Sequence, residues 1–277
     1  MSDWIVPDWP APSNVKALFT TRKGGTGSSL SPSPSPFASF NLGDHVGDDP
    51  LTVKQNRDVL GRFLPNEPRW LKQVHGTGVV RVDGHDCGAP PSAPPIGDAA
   101  FSRRPGNVCA VLVADCLAIL LCDRSGTIVA VIHAGWRGLA GKAIDNMVSA
   151  IGTPPATLMA WLGPAIGPNH FEVGEEVRQA FVTSDERSDA AFIPHSSCKG
   201  KWFADLFLLA RQQLLKAGVT EIYGGGICTF SDPARFFSYR RDGSTGRMAG
   251  LIWLAPQTTP AFEGVAETHP LVLRATS

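Results

Sequence analysis

The 277-residue chain has no excess of either charge: 25 lysines and arginines stand against 25 aspartates and glutamates. A balanced surface offers no basic field for nucleic acid or an anionic membrane, and it suits a small neutral or modestly anionic ligand better. No apolar run reaches the ~18 residues of a membrane span, because Asp115 interrupts the longest one. Residues 1–14 have no basic segment followed by an apolar one, so they do not read as a secretory signal. The cysteines at 87, 109, 116, 122, 198 and 228 form no C-x-x-C, and several sit inside apolar runs. They read as free thiols in a reducing cytoplasm rather than a disulfide framework. H-E-x-x-H, the P-loop and the G-x-S-x-G elbow are absent, as is an H-x-E paired with P-C-x-x-C. These absences exclude the usual zincin proteases, P-loop nucleotidases, α/β-hydrolases and zinc nucleobase deaminases. The lack of any His-x-His argues against a conventional multicopper oxidase. No short repeat appears.

What is present is turn-rich and mixed. Gly (29) and Pro (23) imply many turns. VKALFTT (15–21) reads as a strand running into Arg22-Lys23-Gly24-Gly25, and the Ser/Pro stretch at 28–36 as a surface loop. FNLGDHVGDDP (40–50) is either a plain connector or a loop turning Asn41 or His45 toward a ligand. Asp49 and Pro50 open a predicted helix over 50–64. A short strand over 70–74 ends at His75-Gly76, extended chain resumes at 79–82, and a proline-rich loop at 87–97 is closed by Asp98. Strands are predicted over 108–114, 117–122 and 127–132, the last two forming a hairpin through Asp123–Gly126. A helix follows His133 and stops at Gly152. Further strands fall at 158–162, 221–223 and 248–254, further helices at 174–182 and 205–217, and irregular chain at 184–200. The two proline loops lie between short strands rather than between complete cores. The reading is therefore one mixed α/β domain over 1–277, with 255–277 as a loose tail.

His75, Cys116 and His133 each end an apolar, β-like run and precede turn residues. Two chemistries use them. In one, two imidazoles and a thiolate hold Zn²⁺ with a fourth position open, the catalytic pattern; the same set also suits a single copper. In the other, Cys116 is a nucleophile with His75 or His133 as base and Asp115 or Asp98 as orienter. A cysteine in an apolar run is more often an inert core residue, which is how Cys109 and Cys122 read. Guanidinium groups bind phosphate or carboxylate in a fork. Arg22 lies in a glycine-rich loop, Arg240 and Arg241 follow an aromatic stretch, and Arg137 lies closest to His133 and is favoured. The candidate substrate-binding groups are Arg22, Asn41, Asp98, Asp115, Ser238 and Arg240. Phe236, Phe237 and Tyr239 are core residues or a stacking platform.

QVHG (73–76), ADC (114–116), HAGWRG (133–138), LGPAIGP (162–168) and FFSYRRD…TGRMA (236–249) together resemble the YfiH-like family. That family is also called the peptidoglycan editing factor family and, in older usage, multicopper polyphenol oxidoreductase or laccase. The motifs run in the family's order up to about Leu254. The resemblance implies an α/β/β/α layered domain and zinc on His75, Cys116 and His133, with copper as the other metal. It implies phosphorolysis of adenosine, inosine, guanosine and methylthioadenosine, together with adenosine deamination. The catalytic set would be Cys116, His75, His133 and Arg137. The partners would be nucleoside and phosphate, with no nucleic acid or membrane, in a cytoplasmic monomer or homodimer. A cysteine-dependent amidase editing peptidoglycan precursors and a copper-dependent polyphenol oxidase are the alternatives. Ala118 stands where many members carry proline, which bears on local loop shape, and the Ser/Pro insert is longer than the family pattern.

Overall fold

Strands in which every side chain is buried need cover on both faces, and the apolar runs at the centre of this chain receive it from two stacked sheets. The structure, a computed structural model, describes residues 3–25, 35–83 and 93–256. In chain order β1 (Val15–Phe19) leads to α1 (Pro50–Gly61), then β2 (Val79–Arg81), β3 (Ala99–Ser102), β4 (Val108–Val113), β5 (Leu117–Asp123) and β6 (Val129–Ala134). The helices α2 (Trp136–Ala140) and α3 (Ala143–Ile151) follow, then β7 (Leu158–Leu162), β8 (Glu172–Gly174), α4 (Glu175–Val182), β9 (Phe192–Pro194) and β10 (Lys201–Ala204). The chain closes with α5 (Leu206–Lys216), β11 (Glu221–Gly224), α6 (Tyr239–Asp242) and β12 (Met248–Leu254).

A mixed six-stranded sheet has the order β11-β7-β5-β6-β3-β2, and an antiparallel three-stranded sheet has the order β1-β12-β4. A third small sheet, β8-β10-β9, lies apart. The two-residue period sorts side chains between layers. Along β5, Ile119 and Leu121 face the helices α3 and α5, while Ala118, Leu120 and Cys122 face the other sheet. Along β4, Cys109, Val111 and Val113 face β5 and β6, while Ala110 and Leu112 join Leu60 of α1 on the outside. The outcome is the expected α/β/β/α stack. Each fully buried leucine, such as Leu120, contributes about 1.5–3 kcal/mol through burial. The sheets approach closely where Gly250 faces Ala118: a Cβ at 250 would stand 2.9 Å from that of Ala118. Ala118 pairs with His133 inside β5, so the departure from the family's proline falls in a sheet and not in a loop.

Most predicted elements are present, with instructive exceptions. Asp49 caps α1 by accepting from the amides of Leu51 and Thr52, and the helix ends at Gly61. The predicted strand at 70–74 is absent. Only Arg69 and Lys72 make isolated bridges, while the Gln73 side chain makes the ladder contacts, donating to Leu112 O (2.9 Å) and accepting from Leu112 N (2.7 Å). The helix after His133 is broken into α2 and α3 at Lys142, whose φ is 70°. The 184–200 segment contains a 3₁₀ turn at Glu186–Ala191 and the strand β9. Cys109, Cys116, Cys122, Cys198 and Cys228 are free thiols. Cys87, most of the Ser/Pro stretch and of the 87–97 loop, and the tail beyond 256 lie outside the described residues. Among the described residues no helix is long and apolar enough to cross a membrane.

Candidate functional site

One buried carboxylate organises the two imidazoles. Asp98, fully buried just before β3, accepts the amides of Val74 (3.2 Å), His75 (2.8 Å) and Gly76 (2.7 Å). Those bonds hold His75 at φ 57°, a left-handed conformation that costs a non-glycine residue about 1–3 kcal/mol. The same Asp98 carboxylate lies 2.9 Å from Nδ1 of His133, the penultimate residue of β6. Burial would raise the Asp98 pKa, but the bond from His133 and the backbone amides outweigh it and keep the acid ionised. An ionised carboxylate only accepts, so Nδ1 of His133 carries the hydrogen and Nε2 is left for Cys116 or a metal.

Cys116 arrives by a different route. The chain leaves β4 in the small sheet at Val113 and enters β5 in the large sheet at Leu117, and Ala114-Asp115-Cys116 makes the crossing. The turn places Asp115 at φ 84°. The Asp115 carboxylate accepts from Thr229 Oγ1 (2.6 Å), Ser238 Oγ (3.0 Å) and the Arg240 amide (2.7 Å). Both backbone outliers of the site are thus held by a buried carboxylate collecting donors from distant segments.

The ligand atoms of His75, Cys116 and His133 lie within 4.8 Å of one another. The two imidazole rings meet edge to face, with centroids 4.7 Å apart. Burial would push the Cys116 thiol up, but the His133 charge and hydrogen bonds from His133 and His75 bring it down to about 6. Burial would lower His133, but the Cys116 thiolate and Asp98 raise it to about 9. The metal-free pair is therefore thiolate and imidazolium. Cys109 and Cys122 behave oppositely, burial pushing both thiols up, as inert core residues should. Two imidazoles and a ready thiolate, with one side open to a cavity, fit a tetrahedral metal with a free position. The donor set suits zinc and also a single copper.

The trio opens into a cavity of about 450 Å³. Trp136, Phe171, Leu206 and Tyr239 give it apolar and aromatic wall; His45, Asp115, Arg240 and Arg247 add polar groups. Of the sequence candidates, the structure brings together His75, Cys116, His133, Asp115 and Arg240. Asp98 lies behind the imidazoles rather than on the cavity wall. Ser238 is fully buried and caps α6 while bonding Asp115. Asn41 is fully buried, accepting from the amides of Gly43 and Arg247. Arg22 holds the carbonyls of Ala38 and Pro233 and stacks on Phe237. Arg137 is exposed and stacks on Trp136 at 4.4 Å, outside the cavity lining. Phe236 and Phe237 are core, and Tyr239 is exposed on the cavity wall. Sequence reasoning passed over Gln73 and Arg247. The available signal for Arg247 was a cationic residue abutting the all-apolar run of β12.

Comparison with known proteins agrees with this geometry. A family model described as multi-copper polyphenol oxidoreductase laccase matches residues 16–255. A Pseudomonas aeruginosa protein named purine nucleoside phosphorylase is 51% identical over 254 residues, 92% of this chain and 99% of its own. The purine nucleoside phosphorylase YfiH of Escherichia coli is 49% identical, over 92% of this chain and all of its own. The crystal structure of a Neisseria meningitidis protein superposes with a TM-score of 0.82 at 44% identity, covering 92% of this chain and 100% of that one.

Proposed function

The chain belongs to the YfiH-like family, and from that premise we propose that it is a zinc-dependent purine nucleoside phosphorylase that also deaminates adenosine. The observation that carries the reading is the His75–Cys116–His133 trio at one side of a cavity with aromatic walls and cationic groups. A cavity of about 450 Å³ has the size of a small-molecule site. In the phosphorolysis, a hydrogenphosphate oxygen bonds to the anomeric carbon as the glycosidic C–N bond breaks. The bonding pair leaves with the purine, and the proton released by the phosphate ends on the purine nitrogen. Trp136, Phe171 and Tyr239 would hold the base and exclude water from the oxocarbenium-like transition state. Asp98 keeps the His133 ring oriented, and Asp115 holds the segment that carries Tyr239 and Arg240. Bound zinc would supply a Lewis acid able to polarise a phosphate or water oxygen, which is why two activities share one site in this reading.

The test joins metal content and turnover on the same samples. Wild-type protein is expected to hold about one zinc per chain and to consume adenosine and inosine in a phosphate-dependent manner. Cys116→Ala should lose both. Full turnover by a protein that has lost its zinc would sink the metal mechanism.

A second reading is favoured by one observation. A thiolate at about 6, a histidine bonded to it, and an aspartate behind that histidine also make the constellation of a cysteine nucleophile. Such an enzyme would act as an amidase on peptidoglycan precursors. It predicts a covalent adduct on Cys116 and indifference to chelators, whereas the phosphorylase reading predicts inactivation by chelation and no adduct.

A further inference from the structure

Arg247 carries a charge for which the described structure supplies no counter-ion of its own. It is partly buried and lines the same cavity as Cys116 and His133. Its Nη1 donates to the carbonyls of Thr245 (2.8 Å) and Gly246 (3.1 Å), which orient the guanidinium without neutralising it. Among the described residues no carboxylate stands within ion-pair distance, and Nε and Nη2 have no hydrogen-bond partner. The negative groups it feels, Cys116 and Asp115, act at longer range, and the Asp115 oxygens are already engaged. Arg57 shows the contrast: comparably withdrawn from water, it is paired with Asp44 at 3.3 Å. Removing a guanidinium from water without a partner is costly, and such an arrangement persists where an anion is to be received.

The chain also devotes a separate segment to placing Arg247. The Asn41 Oδ1 accepts the Arg247 amide at 2.8 Å, and the Leu42 amide donates back to the Arg247 carbonyl at 3.1 Å. Asn41 is itself held by Gly43 and Asp48. A Cβ on Gly43 would stand 2.7 Å from Cγ of Arg247, so the side chain passes where only glycine leaves room. This gives the FNLGDH segment, legible in sequence only as a loop, a definite task. At the same cavity, Arg240 spends Nη1 on the Glu172 carbonyl (2.7 Å) and rests over Phe171, with the rest of its fork exposed.

We propose that Arg247, supported by Arg240, is the seat of the anionic co-substrate, inorganic phosphate, and that Asn41 and Gly43 are positioning residues for it. The identity of the anion rests on the phosphorolysis reading; the existence of an anion seat does not. Phosphate is needed to break the glycosidic bond but not to replace the adenine amino group by water. Damage to this seat should therefore separate the two activities.

The experiment titrates inorganic phosphate into full-length, zinc-loaded protein without nucleoside, followed by phosphorus NMR, for wild type, Arg247→Gln and Gly43→Ala. In parallel, wild-type Arg247 is reacted with phenylglyoxal with and without phosphate and read by mass spectrometry, which needs no variant to fold. We expect phosphate to protect Arg247, and each substitution to weaken phosphate binding by about 30-fold or more. In turnover assays KM for phosphate should rise while phosphate-free adenosine deamination and zinc content persist. Unchanged phosphate affinity in folded variants, or an Arg247 that phosphate leaves unprotected, overturns the proposal. Wild-type protein that binds phosphate through Arg247 yet turns over no nucleoside supports the anion seat and refutes the nucleoside reading instead.

Discussion

Asp98 and His133 are joined twice: the Asp98 carbonyl accepts the His133 amide at 2.7 Å, and the Asp98 carboxylate accepts its Nδ1 at 2.9 Å. Through the amides of residues 74–76 that carboxylate also sets the backbone of His75. A single acid thus orients both imidazoles of the trio, one through its ring and one through its main chain. It is a positioning residue whose loss should be felt first in metal binding.

Asp98→Asn keeps the volume but replaces one acceptor oxygen with a donor facing groups that also donate. Metal affinity is expected to fall about 10–100-fold, as for other groups that orient metal-ligating histidines. Stability should fall by about 1–3 kcal/mol from unsatisfied donors. Competition with a chelator measures the first and denaturant unfolding the second. An affinity equal to wild type would show that Asp98 does not orient the ligands.

Gly135→Ala tests how closely the trio is packed. Gly135 sits at φ −70°, where alanine is free of backbone strain, so any effect is steric. The new Cβ would stand 3.0 Å from Cys116 Sγ and 3.5 Å from His75 Cδ2. The substitution should cost about 1–3 kcal/mol as overpacking and lower metal occupancy in a protein that still folds. Metal analysis at matched protein concentration decides; full occupancy would mean that the Cys116 side chain yields without consequence.

Asp83 offers a pH test away from the metal site. Its buried carboxylate accepts from Ser102 Oγ (2.7 Å), the Arg103 amide (2.8 Å) and Arg81 Nε (2.7 Å). Burial would raise its pKa, but these donors outweigh burial and lower it. A depressed folded pKa contributes stability that is present above the unfolded value of about 3.9 and lost as pH falls through the folded one. The Tm difference between wild type and Asp83→Asn should therefore be full at neutral pH and shrink below about pH 4. A difference independent of pH would assign the effect to packing rather than to charge.

Much of the fold was legible because it rests on local rules. All-apolar runs at 108–114 and 117–122 required cover on both faces, Asp49-Pro50 and Asp205 supplied helix caps, and Gly152 a left-handed stop. The strand expected at 70–74 failed because a side chain, Gln73, substitutes for backbone pairing, and apolar pattern is blind to that exchange. The single helix expected after His133 failed at Lys142, which holds a left-handed conformation without being glycine.

His75, Cys116 and His133 stood out in the sequence because each interrupts an apolar run with a reactive group, and that contrast is a local property. Whether Arg22, Arg137, Arg240 or Arg247 reaches the cavity is not local. Arg247 is set by Asn41, 206 positions away, and Asp115 by Thr229 and Ser238, 114 and 123 positions away. Residue periodicity reports which face of an element is buried. The stacking of two sheets decides which distant loops meet at their ends, and with them which cations face the trio.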